Sequence, residues 1–135
     1  MRGCIAPFFN LRDMEAKELR IDNYVYIKGI VDVITGIGDN DFCSEKYGHG
    51  LDNKQVEPIP LTEEWLLKFG FKITAEDSDK TLYRMDKKNF IIVSHEWGCD
   101  FHYGVSGNDW IKPYFVHSLQ NLYFALTGEE LTLNQ

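Results

Sequence analysis

A short helix with a marked beginning is predicted by the stretch Ile59-Pro60-Leu61-Thr62-Glu63-Glu64-Trp65-Leu66-Leu67-Lys68-Phe69-Gly70-Phe71. Thr62 is suited to the N-cap position, because its hydroxyl can accept a hydrogen bond from a free backbone N–H of the first turn. Glu63 and Glu64 then fall in that turn, where the helix dipole favours negative charge. Leu61 and Leu66 have the spacing of a hydrophobic staple. We therefore expect the helix to begin directly after Thr62.

The same stretch also marks where the helix ends. Gly70 suits the left-handed position just past a helix, and Phe71 can fold back onto Leu66 in a Schellman-type contact. A helix of two turns is unstable by itself, so its apolar residues Trp65 and Phe69 must pack against neighbouring structure. The sequence therefore predicts a short hinge helix held between two β segments.

Antiparallel strands are predicted on both sides of the hinge helix. Val25 and Ile27 alternate with Tyr24 and Tyr26, which is the period of a strand with one buried face. On the N-terminal side, four short runs within about 40 residues are typical of a small curled sheet or an SH3-like barrel; they lie near residues 24–28, 30–37, 42–47 and 55–57. On the C-terminal side, a second antiparallel sheet is predicted from runs near residues 71–75, 81–85, 90–95, 100–105 and 110–114.

An amphipathic helix is predicted from about His117 to Thr127. Its apolar residues recur at i, i+3, i+4 and i+7 and are Leu119, Leu122, Tyr123 and Leu126. Gly128 is expected to end the helix. The stripe predicts a helix packed with one face on the second sheet.

These elements predict the α+β fold class in a single domain covering residues 14–135. A small N-terminal antiparallel β unit comes first, then the hinge helix, the second antiparallel sheet and the C-terminal amphipathic helix. Residues 1–13 have no consistent period, so we expect an irregular extension ahead of a native start at Met14; the alternative is a docked strand.

Composition and charge narrow the classes of partner. The chain has 135 residues, 44% of them hydrophobic, which fits one core. Its formal net charge of −7 is spread over both halves, and Lys87-Lys88 is the one basic pair. Because nucleic-acid binding needs clustered basic residues, a nucleic-acid partner is disfavoured.

Cysteine usage and hydropathy indicate where the protein works. The odd set of Cys4, Cys43 and Cys99 is typical of a reduced protein without a disulfide framework. No apolar run approaches the roughly 18 residues of a membrane span. We therefore predict a cytoplasmic protein with no membrane contact.

The candidate binding residues are His95, Trp97 and His102, near the tip of a predicted hairpin. Two imidazoles and the thiol of Cys99 could converge on zinc, but their spacing lacks the paired knuckles of structural zinc sites. We therefore predict no metal and no cofactor. Trp97 stands beside Gly98 at the tip, where an exposed aromatic can anchor a partner; folding back over the sheet is the alternative.

No motif assigns a catalytic residue. Nucleophilic catalysis needs an activated side chain next to a base, and the chain has no nucleophile elbow, phosphate-binding glycine loop or paired-acid motif. The sequence therefore favours a role outside catalysis.

Three stretches together resemble a family of small proteins encoded by gut Bacteroides-type bacteria, their prophages and mobile elements. They are Glu18-Leu19-Arg20-Ile21-Asp22-Asn23-Tyr24-Val25, residues 58–71, and Leu119-Gln120-Asn121-Leu122-Tyr123-Phe124-Ala125-Leu126-Thr127-Gly128-Glu129-Glu130-Leu131. The resemblance covers about residues 14–131 and implies a fold and a phage-like context, but no reaction. Family members commonly have Gly where this chain has Asp22, in a turn expected to need an unusual backbone angle that Asp tolerates better than most residues.

Two functions remain as hypotheses. The first is a non-enzymatic accessory or interaction protein of phage or mobile-element origin, acting through contacts with a host or phage protein. The alternative is a small-molecule or nucleotide-binding domain, with weak hydrolase chemistry around residues 95–102. Homo-oligomer formation is left open by the sequence.

Overall fold

The computed structural model describes residues 18–39, 41–85, 90–95, 98–103 and 114–133. Two antiparallel sheets, a short helix between them and a C-terminal helix make up this part of the chain. The predicted α+β fold class and its order of elements are confirmed. The predicted boundary at residue 14 and the extension over residues 1–13 lie outside the described residues.

The elements follow the predicted order along the chain, but the first sheet has a fifth strand over residues 48–51, where the sequence predicted no strand. The first sheet contains β1 (Tyr24–Ile27), β2 (Ile30–Ile37), β3 (Phe42–Ser44), β4 (Gly48–Leu51) and β5 (Val56–Glu57). Helix α1 (Glu63–Lys68) leads to a second sheet of β6 (Lys72–Glu76), β7 (Lys80–Arg84), β8 (Phe90–His95) and β9 (Gly98–Tyr103). Helix α2 (Val116–Thr127) follows. Of the strand predicted near residues 110–114, only Tyr114 is described, and it is not in a strand.

The first sheet is antiparallel and has the strand order β4-β3-β2-β1-β5. Lys28 and Gly29 form a two-residue hairpin loop with φ angles of 53° and 77°, a conformation that matches the twist of the flanking strands. The apolar face of the sheet closes over its own small core of Leu19, Val25, Ile27, Ile34, Phe42, Leu51 and Val56. The predicted alternation of Val25 and Ile27 is confirmed, since both side chains are fully buried.

A buried carboxylate fixes one turn of this sheet. Asp32 lies on β2 facing the small core, and its Oδ1 accepts hydrogen bonds from the backbone N–H groups of Val33 and Lys46 at 2.8 and 3.1 Å. The Lys46 ammonium donates to the Val31 carbonyl at 2.7 Å. These bonds satisfy the buried acid and hold the β3–β4 turn against β2.

Helix α1 ends as predicted. Gly70 has a φ of 96°, and the backbone N–H of Phe71 donates to the carbonyl of Leu66 at 3.0 Å while that of Gly70 donates to Leu67 at 3.0 Å. These two bonds define a Schellman motif. At the other end, Thr62 occupies the N-cap position with extended backbone, but its side chain makes no capping hydrogen bond.

The second sheet is a simple antiparallel meander in the order β6-β7-β8-β9. Strand β6 stands at its edge, with all five side chains exposed and a register shift between Ile73 and Ala75. A bulge and charged ends are devices that protect an edge strand from pairing with other chains. Strand β6 therefore has the features of a protected edge.

The main core lies between the two sheets and the two helices. Its buried residues are Ile59, Leu61, Trp65, Leu66, Phe69, Phe71, Tyr83, Ile92, Val116, Leu119, Tyr123 and Leu131, and Tyr24, Tyr26 and Val31 of the first sheet pack against it. Strand β1 therefore separates the two cores, with Val25 and Ile27 on one face and Tyr24 and Tyr26 on the other.

The predicted stripe of helix α2 needs a correction. Leu119 and Tyr123 are buried as expected, but Leu122 is only partly buried and Leu126 is 38% exposed. Gln120, which the apolar pattern leaves out, is fully buried. The helix is rotated about its axis relative to the orientation that the apolar stripe predicts, because one of its flanks contacts strand β1 of the first sheet.

Candidate functional site

The structure describes the backbone at two of the three predicted binding residues. His95 ends strand β8 and pairs with Gly98, whereas His102 on strand β9 pairs with Ile91. The two histidines are thus four residues apart along the hairpin, or about 13 Å. Trp97 lies outside the described residues. The interpretation of these three residues as a binding site stays a prediction.

Cys99 and His102, two of the possible metal ligands, both lie on strand β9. Cys99 pairs with Ser94. Because Cys99 and His102 are three residues apart on the same strand, they occupy register positions of opposite parity. Among the residues that the structure describes, no group of three or more His, Cys, Asp or Glu side chains is placed to hold a metal ion.

The most elaborate polar arrangement of the described residues is centred on Arg20. Its Nε donates to Asn121 Oδ1 at 3.1 Å, and its Nη2 donates to the Gln120 carbonyl at 3.3 Å. Its Nη1 donates to the carboxylate of Glu130. Three nitrogens of one planar guanidinium are thereby bound to helix α2 and the segment after it, which fixes the orientation of the side chain.

An exposed aromatic side chain lies against this guanidinium, and an exposed apolar residue is the chain neighbour of Arg20. The Arg20 Cζ atom lies 4.3 Å from the centroid of the Phe124 ring, a cation–π contact, and Phe124 is 39% exposed. Ile21, the next residue along the chain, is 48% exposed. We call the surface made by Arg20, Ile21, Phe124 and Glu130 the Arg20 face.

The turn that presents Ile21 has an unusual backbone. Asp22 has a φ of 80°, which is uncommon for a residue other than glycine, so the predicted unusual angle at this position is confirmed. Its N–H donates to the Ile34 carbonyl at 2.8 Å. Asn23, fully buried, accepts from the Arg20 N–H through Oδ1 at 2.7 Å. Uncommon backbone conformations of this kind cluster at functional sites.

Two adjacent amides of helix α2 hold the turn in place. Gln120 accepts from the Tyr24 N–H at 2.8 Å and donates to the Asp22 carbonyl at 3.0 Å. Asn121 accepts from the Asn23 side chain at 2.9 Å and donates to the Glu18 carbonyl at 3.1 Å. The turn that contains Arg20 is therefore held to helix α2 by four hydrogen bonds, three between side chain and backbone and one between two side chains.

The electrostatic surroundings of the turn are negative. Burial, together with the carboxylates of Asp22 and Glu45, raises the pKa of the Tyr24 phenol. Nearby negative charge and low solvation both disfavour a phenolate. The Tyr24 hydroxyl therefore stays neutral at physiological pH.

Sequence reasoning missed the Arg20 face. Its parts lie in two of the stretches that carry the family resemblance, but those stretches show only a turn and a helix. The one local signal was the pair Gln120-Asn121, polar residues inside an apolar helix pattern. Their partners are about 100 positions away in the chain, and no local pattern predicts such a pairing.

Comparisons of the chain with protein-family models, with curated proteins and with solved structures find no match. None of the helices in the described ranges is both long and apolar enough to cross a membrane.

Proposed function

We propose that this protein is an interaction module, that it acts by binding another protein, and that the Arg20 face is the contact surface. The observation that carries the proposal is the exposed Phe124 ring lying against the Arg20 guanidinium, which is fixed by hydrogen bonds; exposed Ile21 follows Arg20 in the chain. Arginine and aromatic residues are enriched at the energetic centres of protein interfaces. A preorganised surface also loses less conformational entropy on binding.

The Arg20 face differs from the other exposed apolar side chains. The remaining large ones in the described part of the chain are Ile30, Ile37, Leu67, Ile73 and Leu126. Single exposed apolar residues are normal on a protein surface and need no functional account. Phe124 instead contacts Arg20, whose guanidinium is hydrogen-bonded to Gln120 and Asn121. Ile21 follows Arg20 in a turn that is bonded to the buried Gln120 side chain and the partly buried Asn121 side chain.

The proposed setting is the cytoplasm of a bacterial host, with an origin in a phage or mobile element. The resemblance of the three stretches supports this origin, and the reduced-cysteine pattern supports the compartment. The partner would then be a protein of the host or of the phage.

Site-specific photocrosslinking tests the proposal. A photoreactive amino acid is placed at Phe124 in one variant and, as a control, at Ile73 in another; Ile73 is 43% exposed and lies on strand β6. We expect one partner to be crosslinked from position 124 and not from position 73. The partner is then identified by mass spectrometry, purified and titrated against the unmodified protein.

The titration measures how much each side chain of the Arg20 face contributes to the binding free energy. Phe124→Ala and Ile21→Ser should each raise the Kd about tenfold or more, whereas Ile73→Ser should leave it unchanged. Thermal denaturation confirms that each variant is folded. The proposal is wrong if crosslinks form only from position 73, or if Phe124→Ala binds the purified partner as tightly as the unsubstituted protein.

A further inference from the structure

The segment after helix α2 is held in place by its side chains. The chain stays attached to the helix end as far as Glu129, whose backbone N–H donates to Thr127 Oγ1 at 3.0 Å. Beyond it, the backbone of residues 130–133 has no hydrogen-bond partner among the residues that the structure describes. A segment that lacks such bonds can open at a lower free energy than the helices and strands around it.

Two kinds of side-chain contact anchor residues 130–133. Leu131 is 4% exposed and belongs to the main core, and partly buried Leu133 packs against that core. Glu130 accepts a hydrogen bond from Arg20 Nη1 through its Oε1 atom. The segment is therefore closed over the edge of the main core by apolar packing and by one ion pair.

The Glu130 carboxylate is an incomplete anchor. Its Oε2 atom is buried and accepts no hydrogen bond from any residue in the described ranges. A buried acceptor without a donor lowers the stability of the arrangement that buries it. The side chains of Arg20 and Glu130 are 30% and 27% exposed, so dissolved salt weakens their attraction. The closed arrangement therefore has only a small advantage over an open one in which water reaches both oxygens.

We propose that residues 130–133 form a strap that opens while the rest of the protein stays folded, and that the Arg20–Glu130 pair is its latch. Opening takes Leu131 out of the main core and Glu130 away from the guanidinium, whereas Arg20 stays bonded to helix α2. The strap thereby switches the Arg20 face between a guanidinium paired with a carboxylate and an unpaired one. This inference goes beyond the proposed function, because it concerns the free protein and is tested without a partner.

Thiol labelling measures the opening in the full chain. Leu131→Cys places a small apolar thiol at the buried strap position, where a thiol reagent reaches it only when the strap opens. Leu119→Cys is the matched control, because Leu119 is buried in the same core but lies within helix α2. Peptide mass spectrometry separates the new thiol from the native cysteines, and each rate is divided by that of a short unfolded peptide. We expect Leu131→Cys to be labelled at least about a hundredfold faster than Leu119→Cys.

A second substitution identifies the latch. Added to Leu131→Cys, Glu130→Gln removes the charge of the pair with little change of shape and should speed labelling about three- to tenfold. Glu64→Gln breaks the exposed Glu64–Lys68 pair instead and should leave the rate unchanged. Raised salt should speed labelling while Glu130 is present and should have little effect in Glu130→Gln, since only an ionic latch is screened.

Urea denaturation first shows that each variant is folded; if Leu131→Cys is not, Leu133→Cys takes its place. Equal labelling at the strap position and in Leu119→Cys would show that residues 130–133 open only when the whole protein unfolds. An equal effect of Glu130→Gln and Glu64→Gln, or a salt response that survives Glu130→Gln, would remove the latch. None of these results bears on the crosslinking from position 124, so failure of the strap and failure of the proposed function are distinguished.

Discussion

The side chain of Gln120 accepts a hydrogen bond from the backbone N–H of Tyr24 at 2.8 Å, joining helix α2 to the start of strand β1. Gln120 is fully buried, and the same amide also donates to the Asp22 carbonyl. The helix therefore supplies the hydrogen bonds that a neighbouring strand would otherwise give to this part of the chain. The first sheet is connected to the C-terminal helix through this side chain.

Gln120→Leu should lower the free energy of unfolding by about 2–4 kcal/mol. Leucine has a similar volume but leaves the Tyr24 N–H and the Asp22 carbonyl, both in part-buried hydrogen bonds, without their side-chain partner. Urea denaturation measures the effect. Gln55→Leu is the matched control, because Gln55 is exposed and its hydrogen-bond partner among the described residues is nearby Asp52. This variant should change stability by less than about 0.5 kcal/mol. Equal midpoints for the two variants would show that the buried amide contributes little.

Leu119→Ala, rather than Leu122→Ala, should be the most damaging leucine truncation in helix α2. Leu119 is fully buried in the main core, so we expect a loss of about 2–5 kcal/mol. Leu122 is partly buried and should cost less; Leu126, at 38% exposure, should cost under about 0.5 kcal/mol. The order of the three denaturation midpoints checks the rotation of the helix. If Leu122→Ala lowers the free energy of unfolding as much as Leu119→Ala does, the helix has the orientation predicted from the sequence and the rotation is wrong.

Asp22→Gly should leave the free energy of unfolding within about 1 kcal/mol of the unsubstituted protein. Glycine adopts a φ of 80° without strain, but it also gains freedom in the unfolded chain, and the two effects oppose each other. Asp22→Val should be less stable than Asp22→Gly by at least about 1 kcal/mol, because a β-branched residue is strained there. Denaturation of the three proteins under one condition tests this, and equal stability of the valine and glycine variants would argue against a left-handed residue 22.

Tyr83→Phe should destabilise the protein by about 1–2 kcal/mol at neutral pH. The Tyr83 hydroxyl donates to Glu63 Oε1 at 3.1 Å and connects strand β7 to helix α1. Burial, with the hydrogen bond and the charge of Glu63, raises the pKa of the Tyr83 phenol. Because the folded state favours the protonated form, this stabilisation is complete below the unfolded pKa of about 10 and is lost as the pH rises through the folded pKa.

Alkaline denaturation of both proteins checks the sign of this effect. The advantage of the unsubstituted protein over Tyr83→Phe should be constant up to about pH 10 and should shrink above it. A difference that grows with rising pH would mean that the phenolate, not the phenol, is favoured in the folded state.

Asp77→Ala should loosen the β6–β7 hairpin more than Asp77→Asn. The Asp77 carboxylate accepts from the N–H groups of Asp79 and Lys80 at 2.8 and 2.9 Å, and these bonds hold its pKa below the usual range. A lowered pKa means that the stabilisation is present above the unfolded pKa of about 4 and is lost as the pH falls through the folded pKa. Amide hydrogen exchange at the turn is measured at neutral and at acidic pH. The loss of protection in Asp77→Ala, relative to the unsubstituted protein, should be smaller at acidic pH.

The sequence by itself predicted the features whose causes lie within a few residues. Gly70 and Gly128 end helices α1 and α2, and both have a positive φ. The alternation of Val25 with Tyr24 predicted which face of strand β1 is apolar, and the resemblance to proteins with Gly at the position of Asp22 predicted its unusual backbone angle. In each case the cause is steric or is a period of two, and both act between neighbours in the chain.

The tertiary structure decided the features that depend on contacts between distant segments. Gln120 is buried and Leu126 exposed because the turn at residues 18–24 docks on one flank of helix α2, which an apolar count along the helix cannot show. Arg20 looks like an ordinary surface charge in the sequence, and it becomes the centre of a surface only when Asn121, Phe124 and Glu130 meet it in space. Hydrogen bonds and ring contacts of this kind act over a few ångströms, so only the folded chain determines which residues make them.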